Sequence, residues 1–426
     1  MKLETQCLHA GTQPDPVTNA RAIPIYRTSS YVFTDTEHAA NLFALRELGN
    51  IYTRLMNPTQ DALEQRIAAM EGGAAALALA SGTAAIFNSI NNICQAGDEI
   101  VSADNLYGGT FTMFNDILPQ FGYKVRFVDP NAPENFAAAI GPQTKALFCE
   151  TLSNPASEIA DMEAIAEIAH AHGIPLVVDS TFTTPVLQRS IEFGADVVVN
   201  SLTKWMGGHG TGIGGAVVDA GRFDWQSEKF PMMTEPDPSY HGLRWAHDLP
   251  ESLAPVAYII RMRVVPLRNL GACISPDNAW MFAQGLETLP LRMERHCDNA
   301  HQVARYLQEH TQIEWIRYPG LPGDSQFDKN EKYLNGMGGA MVVFGIKGGL
   351  EAGKRFIEGL EIFSHLANVG DAKSLAIHPA TTTHSQLNAE QQLAAGVTPE
   401  LVRLSVGIEH IEDIIEDIDK GLAAAR

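Results

Sequence analysis

The pattern of apolar and polar positions divides the chain near residue 60. Residues 1–60 are rich in proline and polar side chains and hold too few apolar positions for a core of their own, which predicts an N-terminal arm. Within the arm, a helix is predicted from Asp35 to Leu48, because an acidic residue can cap its start and Gly49 can end it.

Beyond residue 60, short apolar runs typical of buried strands alternate with helical patterns. Strands that alternate with helices indicate a parallel sheet with right-handed crossover connections. We therefore predict an α/β fold with a mainly parallel sheet flanked by helices. The predicted strands are Ala75 to Ala80, Glu99 to Ser102, Lys124 to Val128, Ala146 to Cys149, Ile174 to Asp179 and Val197 to Val199.

A chain of 426 residues exceeds the size of one ordinary core, so two domains follow the arm. We predict a large domain over 61–262 and a smaller α+β domain over 263–426. Between them, residues 223–250 contain several prolines and little periodicity, which is typical of a functional lid or a disordered loop.

Candidate chemistry lies just beyond the predicted strands. Polar groups follow five of them, namely Ser81, Tyr107, Asn154, Asp179 and Lys204. Each alone also fits a structural role, such as a solvated loop lysine or a tyrosine packed on its own domain. Ligands of open α/β sheets bind at the carboxyl ends of the strands, so five such groups at one edge favour a shared site.

The residue types at this edge fit pyridoxal phosphate. A lysine with a lowered pKa can form a Schiff base with an aldehyde, and Asp179, 25 residues before Lys204, can pair with the pyridine nitrogen. Ser81, Gly82 and Thr83 lead from a strand into a helix, whose free N–H groups bind phosphate.

Composition and charge narrow the possible partners. A net charge of −20 argues against nucleic acid and anionic membrane surfaces as partners. The five cysteines are scattered, with no paired or metal-type spacing, which predicts free thiols, no metal site and a cytoplasmic location. The glycine motif over 210–215 matches GxGxxG but leads into a strand, so it does not indicate a dinucleotide site.

The motifs LEQRIAAMEGG, ASGTAAI, NLYGGT, ETLSNP, VVDSTFTTP, NSLTKWMGGHG and LVRLSVGIE together resemble one family over nearly the whole chain. This family is the Cys/Met-metabolism enzymes of fold type I, the cystathionine γ-synthase group, which depend on pyridoxal 5'-phosphate. The resemblance implies an amino-acid substrate, a sulfide or thiol co-substrate, and a homotetramer built as a dimer of dimers.

The resemblance also implies roles for individual residues. Lys204 corresponds to the Schiff-base lysine and Asp179 to the partner of the pyridine nitrogen. Tyr107 corresponds to the tyrosine that stacks on the ring and assists catalysis, and Asn154 to the group near the cofactor 3-oxygen. The residues that correspond to phosphate binders of the same subunit are Ser81, Gly82, Thr83, Ser201 and Thr203.

Other positions correspond to groups around the substrate and between subunits. Tyr52 and Arg54 correspond to the pair that reaches the phosphate of a neighbouring subunit. Arg403 corresponds to the arginine that holds the substrate carboxylate, and Asn154 is also expected to bind the substrate. Asn368 stands where many relatives have a serine that lines the substrate site.

Two further positions depart from patterns in the family. Thr83 stands where many relatives carry methionine, a change that matters little if the backbone N–H binds the phosphate. Gly109 stands where methionine γ-lyases carry a cysteine, which counts against lyase activity.

Within the group, segments 234–243 and 368–387 are most similar to the O-acetylhomoserine sulfhydrylases. This similarity predicts γ-replacement on O-acetyl-L-homoserine with sulfide or methanethiol, giving homocysteine or methionine. Cystathionine γ-synthesis, the use of O-succinylhomoserine, and a non-catalytic binding protein with the same fold stay open as alternatives.

Overall fold

A computed structural model of the protein describes residues 1–383, 385, 388 and 396–426, and two sheets organise this part of the chain. The first sheet has seven strands in the order β1-β7-β6-β5-β4-β2-β3. Its strands are β1 (Ala75–Leu79), β2 (Glu99–Ala103), β3 (Lys124–Val128), β4 (Thr144–Glu150), β5 (Leu176–Asp179), β6 (Val197–Ser201) and β7 (Gly215–Asp219).

All neighbouring strands of this sheet are parallel except where β7 takes part. β7 runs antiparallel to both β6 and β1. No helix crosses over between β6 and β7, and a loop connection without a crossover joins antiparallel neighbours. Because β1 and β6 both oppose β7, they point the same way, and the predicted mainly parallel sheet is confirmed.

Helices flank the large sheet, and several begin at side-chain caps, of which the Asp35 cap is predicted from the sequence. Asp35 caps the arm helix and Ser275 caps Pro276–Glu287. The helices before residue 288 are Leu3–His9, Thr36–Phe43, Pro58–Glu71, Gly82–Asn91, Gly108–Thr112, Glu134–Ala139, Met162–Ala171, Thr184–Leu187, Pro231–Thr234, Ala257–Met262, Arg268–Leu270 and Pro276–Glu287. The arm helix is shorter than predicted, because Leu45 has a positive φ of 55° and breaks it.

The second sheet lies in the C-terminal part and has the order β10-β11-β12-β9-β8. It is mixed, with antiparallel pairs except between β10 and β11, as a small α+β domain requires. Its strands are β8 (Ile313–Arg317), β9 (Met341–Ile346), β10 (Ser364–His365), β11 (Leu375–Ile377) and β12 (Leu401–Ser405). The helices among its described residues are Leu289–Glu309, Phe327–Tyr333, Gly349–Glu358 and Ile411–Ala424.

Helix Leu289–Glu309 contributes to both hydrophobic cores. Leu289 and Met293 pack in the core of the large sheet, whereas Val303 and Leu307 pack in the core of the small one. The proposed division of the chain at residue 60 and at residue 262 stays a prediction, and Pro276–Glu287 packs on Pro58–Glu71 of the large domain.

Residues 223–250 form an irregular segment, as their composition suggests, but the segment packs against the core and is not disordered. Trp225, Phe230 and Trp245 are buried in the main core, and the Trp245 indole N–H donates to Asp237 at 2.9 Å. Aromatic burial therefore holds this irregular backbone in place. No helix among the described residues combines the length and apolar character that a membrane crossing requires.

Candidate active site

The five strand-end groups lie at one edge of the large sheet. Ser81 follows β1, Tyr107 follows β2, Asn154 follows β4, Asp179 ends β5 and Lys204 follows β6. Since all five strands point the same way, these residues share the carboxyl edge, as the sequence predicts.

An open cleft of about 2140 Å³ lies at this edge. Five of the predicted site residues line it: Ser81, Thr83, Tyr107, Asn154 and Arg403. Arg403 comes from β12 of the small sheet, so the cleft lies between the two domains. A cleft of this kind suits a small polar substrate and a flat cofactor.

Lys204 lies in the turn after β6 with most of its side chain withdrawn from water. Its Nζ donates a hydrogen bond to Oδ1 of Asn368. Burial, assisted by the positive charge of Arg403, lowers the pKa of Lys204 from 10.5 to about 8. A lysine in this environment supplies the neutral amine that Schiff-base chemistry needs.

A glycine allows Asn368 to reach the lysine. Gly370 has φ of 78°, and a Cβ there would come within 2.5 Å of the Trp205 backbone nitrogen. Only a residue without a side chain allows segment 368–370 to lie against the turn that carries Lys204.

Asp179 ends β5 beside Glu150, its register partner on β4. Its Oδ1 accepts the backbone N–H of Thr181 at 2.9 Å. Burial raises the pKa of Asp179, and hydrogen bonds from Thr181 oppose that rise. A partly buried carboxylate without a cation partner in the described chain suits the protonated nitrogen of a bound ring.

Arg403 and Asn154 meet across the two sheets. Arg403 Nη1 donates to Asn154 Oδ1 at 2.8 Å. Burial lowers the pKa of Arg403 to about 10, yet the guanidinium stays charged at neutral pH. Its other N–H groups can donate to both oxygens of a carboxylate in a bidentate arrangement.

A possible phosphate cradle forms where helix Gly82–Asn91 begins. Ser81 caps this helix, its Oγ accepting the Ala84 N–H at 3.0 Å. A Cβ on Gly82 would lie 2.6 Å from the Cβ of Ser201, so glycine is required for the helix to approach β6. The N-terminal N–H groups of the helix and the nearby hydroxyl of Ser201 offer donors for an anion.

Thr203 is tied to the following loop. Its Oγ1 accepts the N–H of Gly214 at 3.1 Å. This bond fixes the turn between Ser201 and Lys204.

Tyr107 presents its ring to the cleft. The side chain is 53% exposed, and its backbone N–H donates to Oε1 of Glu150 at 2.7 Å. A Cβ on Gly109 would come within 2.6 Å of the Tyr107 ring. Glycine at 109 therefore leaves space for the ring position seen here.

Tyr52 and Arg54 are not among the described residues that line the cleft. The Arg54 guanidinium lies 5.3 Å from the centre of the Tyr52 ring, and Nη1 donates to the backbone oxygen of Arg268. The two residues thus lie together on the arm, with Arg54 bound to the backbone next to the cleft residue Asn269.

Two buried groups behind the site were missed by the sequence reasoning. Arg292 donates to the backbone oxygens of Trp205 and Gly285, both at 2.7 Å, and so holds the turn after Lys204. Glu71 accepts from Asn200 Nδ2 at 2.7 Å beneath the end of β6. No local pattern marks either residue, since both act over long sequence separations.

Glu150 was also missed, although a signal existed. It ends an apolar strand in the same way as Asp179 does. The comparison of these two strand ends could have identified the pair.

The residues present fit pyridoxal phosphate. A lysine of lowered pKa, a partly buried carboxylate, an aromatic ring and a helix N-terminus with small residues occupy one sheet edge. In the described part of the chain, no three His, Cys, Asp or Glu side chains cluster in a way that could hold a metal ion. The fold and this edge define a pyridoxal phosphate-dependent enzyme of fold type I.

The chain belongs to the Cys/Met metabolism PLP-dependent enzyme family, whose sequence profile matches residues 4–423. It is 54% identical to O-acetyl-L-homoserine sulfhydrylase of Leptospira meyeri, over 99% of this chain and 96% of that protein. It is 52% identical to O-acetyl-L-homoserine sulfhydrylase 1 of Thermus thermophilus, over 99% and 100% of the two chains.

A solved structure gives the same result for the fold. A candidate O-acetylhomoserine (thiol)-lyase of Campylobacter jejuni superposes with a TM-score of 0.95 at 39% identity. The match covers 99% of this chain and 100% of that one, and that structure contains an N'-pyridoxyl-lysine-5'-monophosphate residue. The predicted family, fold and cofactor are thereby confirmed.

Proposed function

We propose that this chain catalyses γ-replacement on O-acetyl-L-homoserine, with sulfide or methanethiol as the incoming nucleophile. The products are homocysteine or methionine, together with acetate. The observation that carries the proposal is the position of Arg403, a buried cation with free donors, in the cleft beside Asn154 and near Lys204. High identity to full-length O-acetyl-L-homoserine sulfhydrylases supports the choice of substrate.

The cofactor supplies an electron sink that stabilises negative charge at the substrate Cα and Cβ. Lys204 would provide the tether, and Asp179 would hold the proton on the pyridine nitrogen. Tyr107 would stack on the ring and Asn154 would bind near the 3-oxygen. The phosphate would be held by Ser81, Gly82, Thr83, Ser201 and Thr203.

Proton transfer falls to Lys204, assisted by Tyr107. Once released from the cofactor, Nζ takes the proton from the substrate Cα and later returns a proton to the carbon skeleton. A pKa near 8 suits this role, because both protonation states are populated near neutral pH. Asn368 accepts a hydrogen bond from Nζ and so keeps the amine over the site.

Arg403 orients the substrate by its carboxylate. The bond from Nη1 to Asn154 leaves the other guanidinium donors to face the substrate. Asn154 and Asn368 complete the wall of the substrate site. The acetyl ester then points into the cleft with Cγ open to the incoming sulfide.

The active form proposed is a homotetramer, a dimer of dimers, in which Tyr52 and Arg54 reach the phosphate of a neighbouring subunit. Tyr52 is 40% exposed on the arm, which leaves its side chain accessible to a neighbouring subunit and supports this arrangement. Apolar side chains that line the outer cleft are exposed, among them Phe121 at 54% and Leu270 at 58%. Exposed apolar surface of this kind is typical of a subunit contact. A cytoplasmic location stays a prediction from the scattered cysteines.

A product assay tests the reaction. Purified protein would receive O-acetyl- or O-succinyl-L-homoserine, each with sulfide, methanethiol or cysteine, and products would be identified by mass. We expect homocysteine from the acetyl ester and sulfide. Cystathionine as the main product would favour a cystathionine γ-synthase, and a preference for the succinyl ester would favour an O-succinylhomoserine sulfhydrylase. No turnover of any pair would indicate a non-catalytic protein.

A further inference from the structure

Two carboxyl groups lie side by side beneath the cleft. Glu150 at the end of β4 and Asp179 at the end of β5 are register partners on adjacent parallel strands. Adjacent strands are about 4.8 Å apart. Glu150 is 8% exposed. Within the described part of the chain, no lysine, arginine or histidine pairs with either carboxyl group.

Two like charges on neighbouring strand ends, one buried and one partly buried, are unfavourable, so one carboxyl group retains its proton. The hydrogen bonds decide which one. Asp179 accepts from both the backbone N–H and the side chain of Thr181, and these bonds favour its ionised form. Burial and the charge of Asp179 together raise the pKa of Glu150 well above its ordinary value. The proton therefore lies on Glu150.

Glu150 also connects the sheet to the turn that carries Tyr107. Its Oε1 accepts the Tyr107 backbone N–H at 2.7 Å, across 43 residues of sequence. Helix Gly108–Thr112 begins at this point, and the Tyr107 side chain caps nothing. The bond to Glu150 is therefore a direct constraint on where the Tyr107 ring stands.

We propose that Glu150 is a positioning residue that, as a neutral acid, holds the Tyr107 turn against the sheet and leaves the negative charge of the pair on Asp179. This inference rests on the proposed roles of Tyr107 and Asp179 toward the cofactor. Glu150 acts through both Tyr107 and Asp179. One of its oxygens accepts the backbone N–H of Tyr107, and its retained proton keeps Glu150 from placing a second negative charge beside Asp179.

The test compares Glu150→Gln with Glu150→Ala. Glutamine keeps an acceptor oxygen and carries no charge, so it reproduces a neutral acid, whereas alanine removes the acceptor. Apo protein would be titrated with pyridoxal phosphate to obtain Kd, and visible circular dichroism of the bound cofactor would report its orientation. Glu158→Ala is a matched control, since Glu158 lines the same cleft and bonds Asn105 at 2.8 Å.

We expect Glu150→Gln to bind the cofactor within about twofold of wild type, with the same dichroism. Glu150→Ala should bind at least about tenfold more weakly with altered dichroism, because a buried N–H loses its partner. Glu158→Ala should resemble wild type. If Glu150→Gln and Glu150→Ala bind the cofactor equally weakly, the proposal is overturned. Cofactor binding by Glu150→Ala with the wild-type Kd would also overturn it.

Infrared spectroscopy gives a second measurement that needs only the glutamine variant. The difference spectrum of wild type minus Glu150→Gln should contain the carbonyl stretch of a protonated carboxylic acid. If the spectrum contains only carboxylate bands, Glu150 is ionised and the proposal fails, even if the alanine variant does not fold. Cofactor binding and infrared bands are independent of turnover, so a negative product assay would overturn the proposed reaction and not this role.

Discussion

Replacing Arg403 with methionine tests the geometry of the substrate site most directly. The guanidinium is buried on β12, and its bond to Asn154 leaves donors for a carboxylate. Removing one partner of a buried, hydrogen-bonded charge pair costs about 2–5 kcal/mol. We therefore expect kcat/KM for O-acetyl-L-homoserine to fall by roughly 30- to 5,000-fold. Arg403→Lys keeps the positive charge but loses the paired N–H donors of the guanidinium, so its kcat/KM should fall by roughly 10- to 150-fold.

Steady-state kinetics would measure this effect, with bound cofactor followed by its visible absorbance. Arg317→Met is the matched control, because Arg317 also lines the cleft but lies over the Trp315 ring at 5.0 Å. The control should keep wild-type kinetics, and all variants should retain cofactor. Unchanged kcat/KM in Arg403→Met would refute the carboxylate role.

The same variant has an effect on Lys204 that can be measured separately. The charge of Arg403 assists burial in lowering the pKa of Lys204. Removing that charge should raise the lysine pKa, so the neutral amine would form at higher pH. In apo protein, the rate of recombination with pyridoxal phosphate should therefore reach its plateau at a higher pH than in wild type. An identical pH profile would show that the two cations do not interact.

Three further predictions concern the groups around Lys204. Lys204→Ala should show no absorbance of lysine-bound cofactor and lose activity by at least about 1,000-fold; retention of both would exclude the lysine from its proposed role. Gly109→Ala should weaken cofactor binding by about two- to tenfold, because the added Cβ would contact the Tyr107 ring. Gly108→Ala is the control and should leave the Kd unchanged, because no atom lies within 4 Å of a Cβ there. Equal Kd values for the two variants would contradict the prediction. Burial raises the pKa of Glu71 from 4.5 to about 7, so wild type should lose stability as pH rises through that window. Glu71→Gln should not show this loss, so between pH 5 and pH 8 its free energy of unfolding should rise by up to about 3 kcal/mol relative to that of wild type. If thermal unfolding shows a difference between variant and wild type that does not change with pH, the prediction is wrong.

The strands of the large sheet could be predicted because buried strands are short apolar runs that stand out between helical patterns. Val197, Val198 and Val199 are all fully buried, as their sequence suggests. The direction of β7 was not predicted, since it depends on the absence of a crossover helix and not on the strand itself. The burial of residues 223–250 was missed for a related reason: prolines mark an irregular backbone but do not reveal what its aromatic side chains contact.

The candidate site was predictable to the extent that its residues follow strands. Lys204 and Asp179 are recognisable as strand-end groups, and the shared edge follows from parallel topology. Asn368 and Arg403 could be placed only by resemblance, because their contacts with Lys204 and Asn154 span more than 160 residues. Segment 368–387, which suggested the subgroup, extends into positions 384 and 386–387, which lie outside the described residues.

The continuous helix Leu289–Glu309 has a consequence for how the protein loses its structure. Its 21 residues span about 30 Å, and its two ends are anchored in different cores. Near its start, Arg292 also donates a hydrogen bond to the backbone of the turn that follows Lys204. Unfolding of either domain would therefore disrupt this helix, remove part of the core of the other domain and free the turn that follows Lys204. Heat or denaturant should thus abolish activity and unfold both domains in one cooperative step, without leaving an intact half.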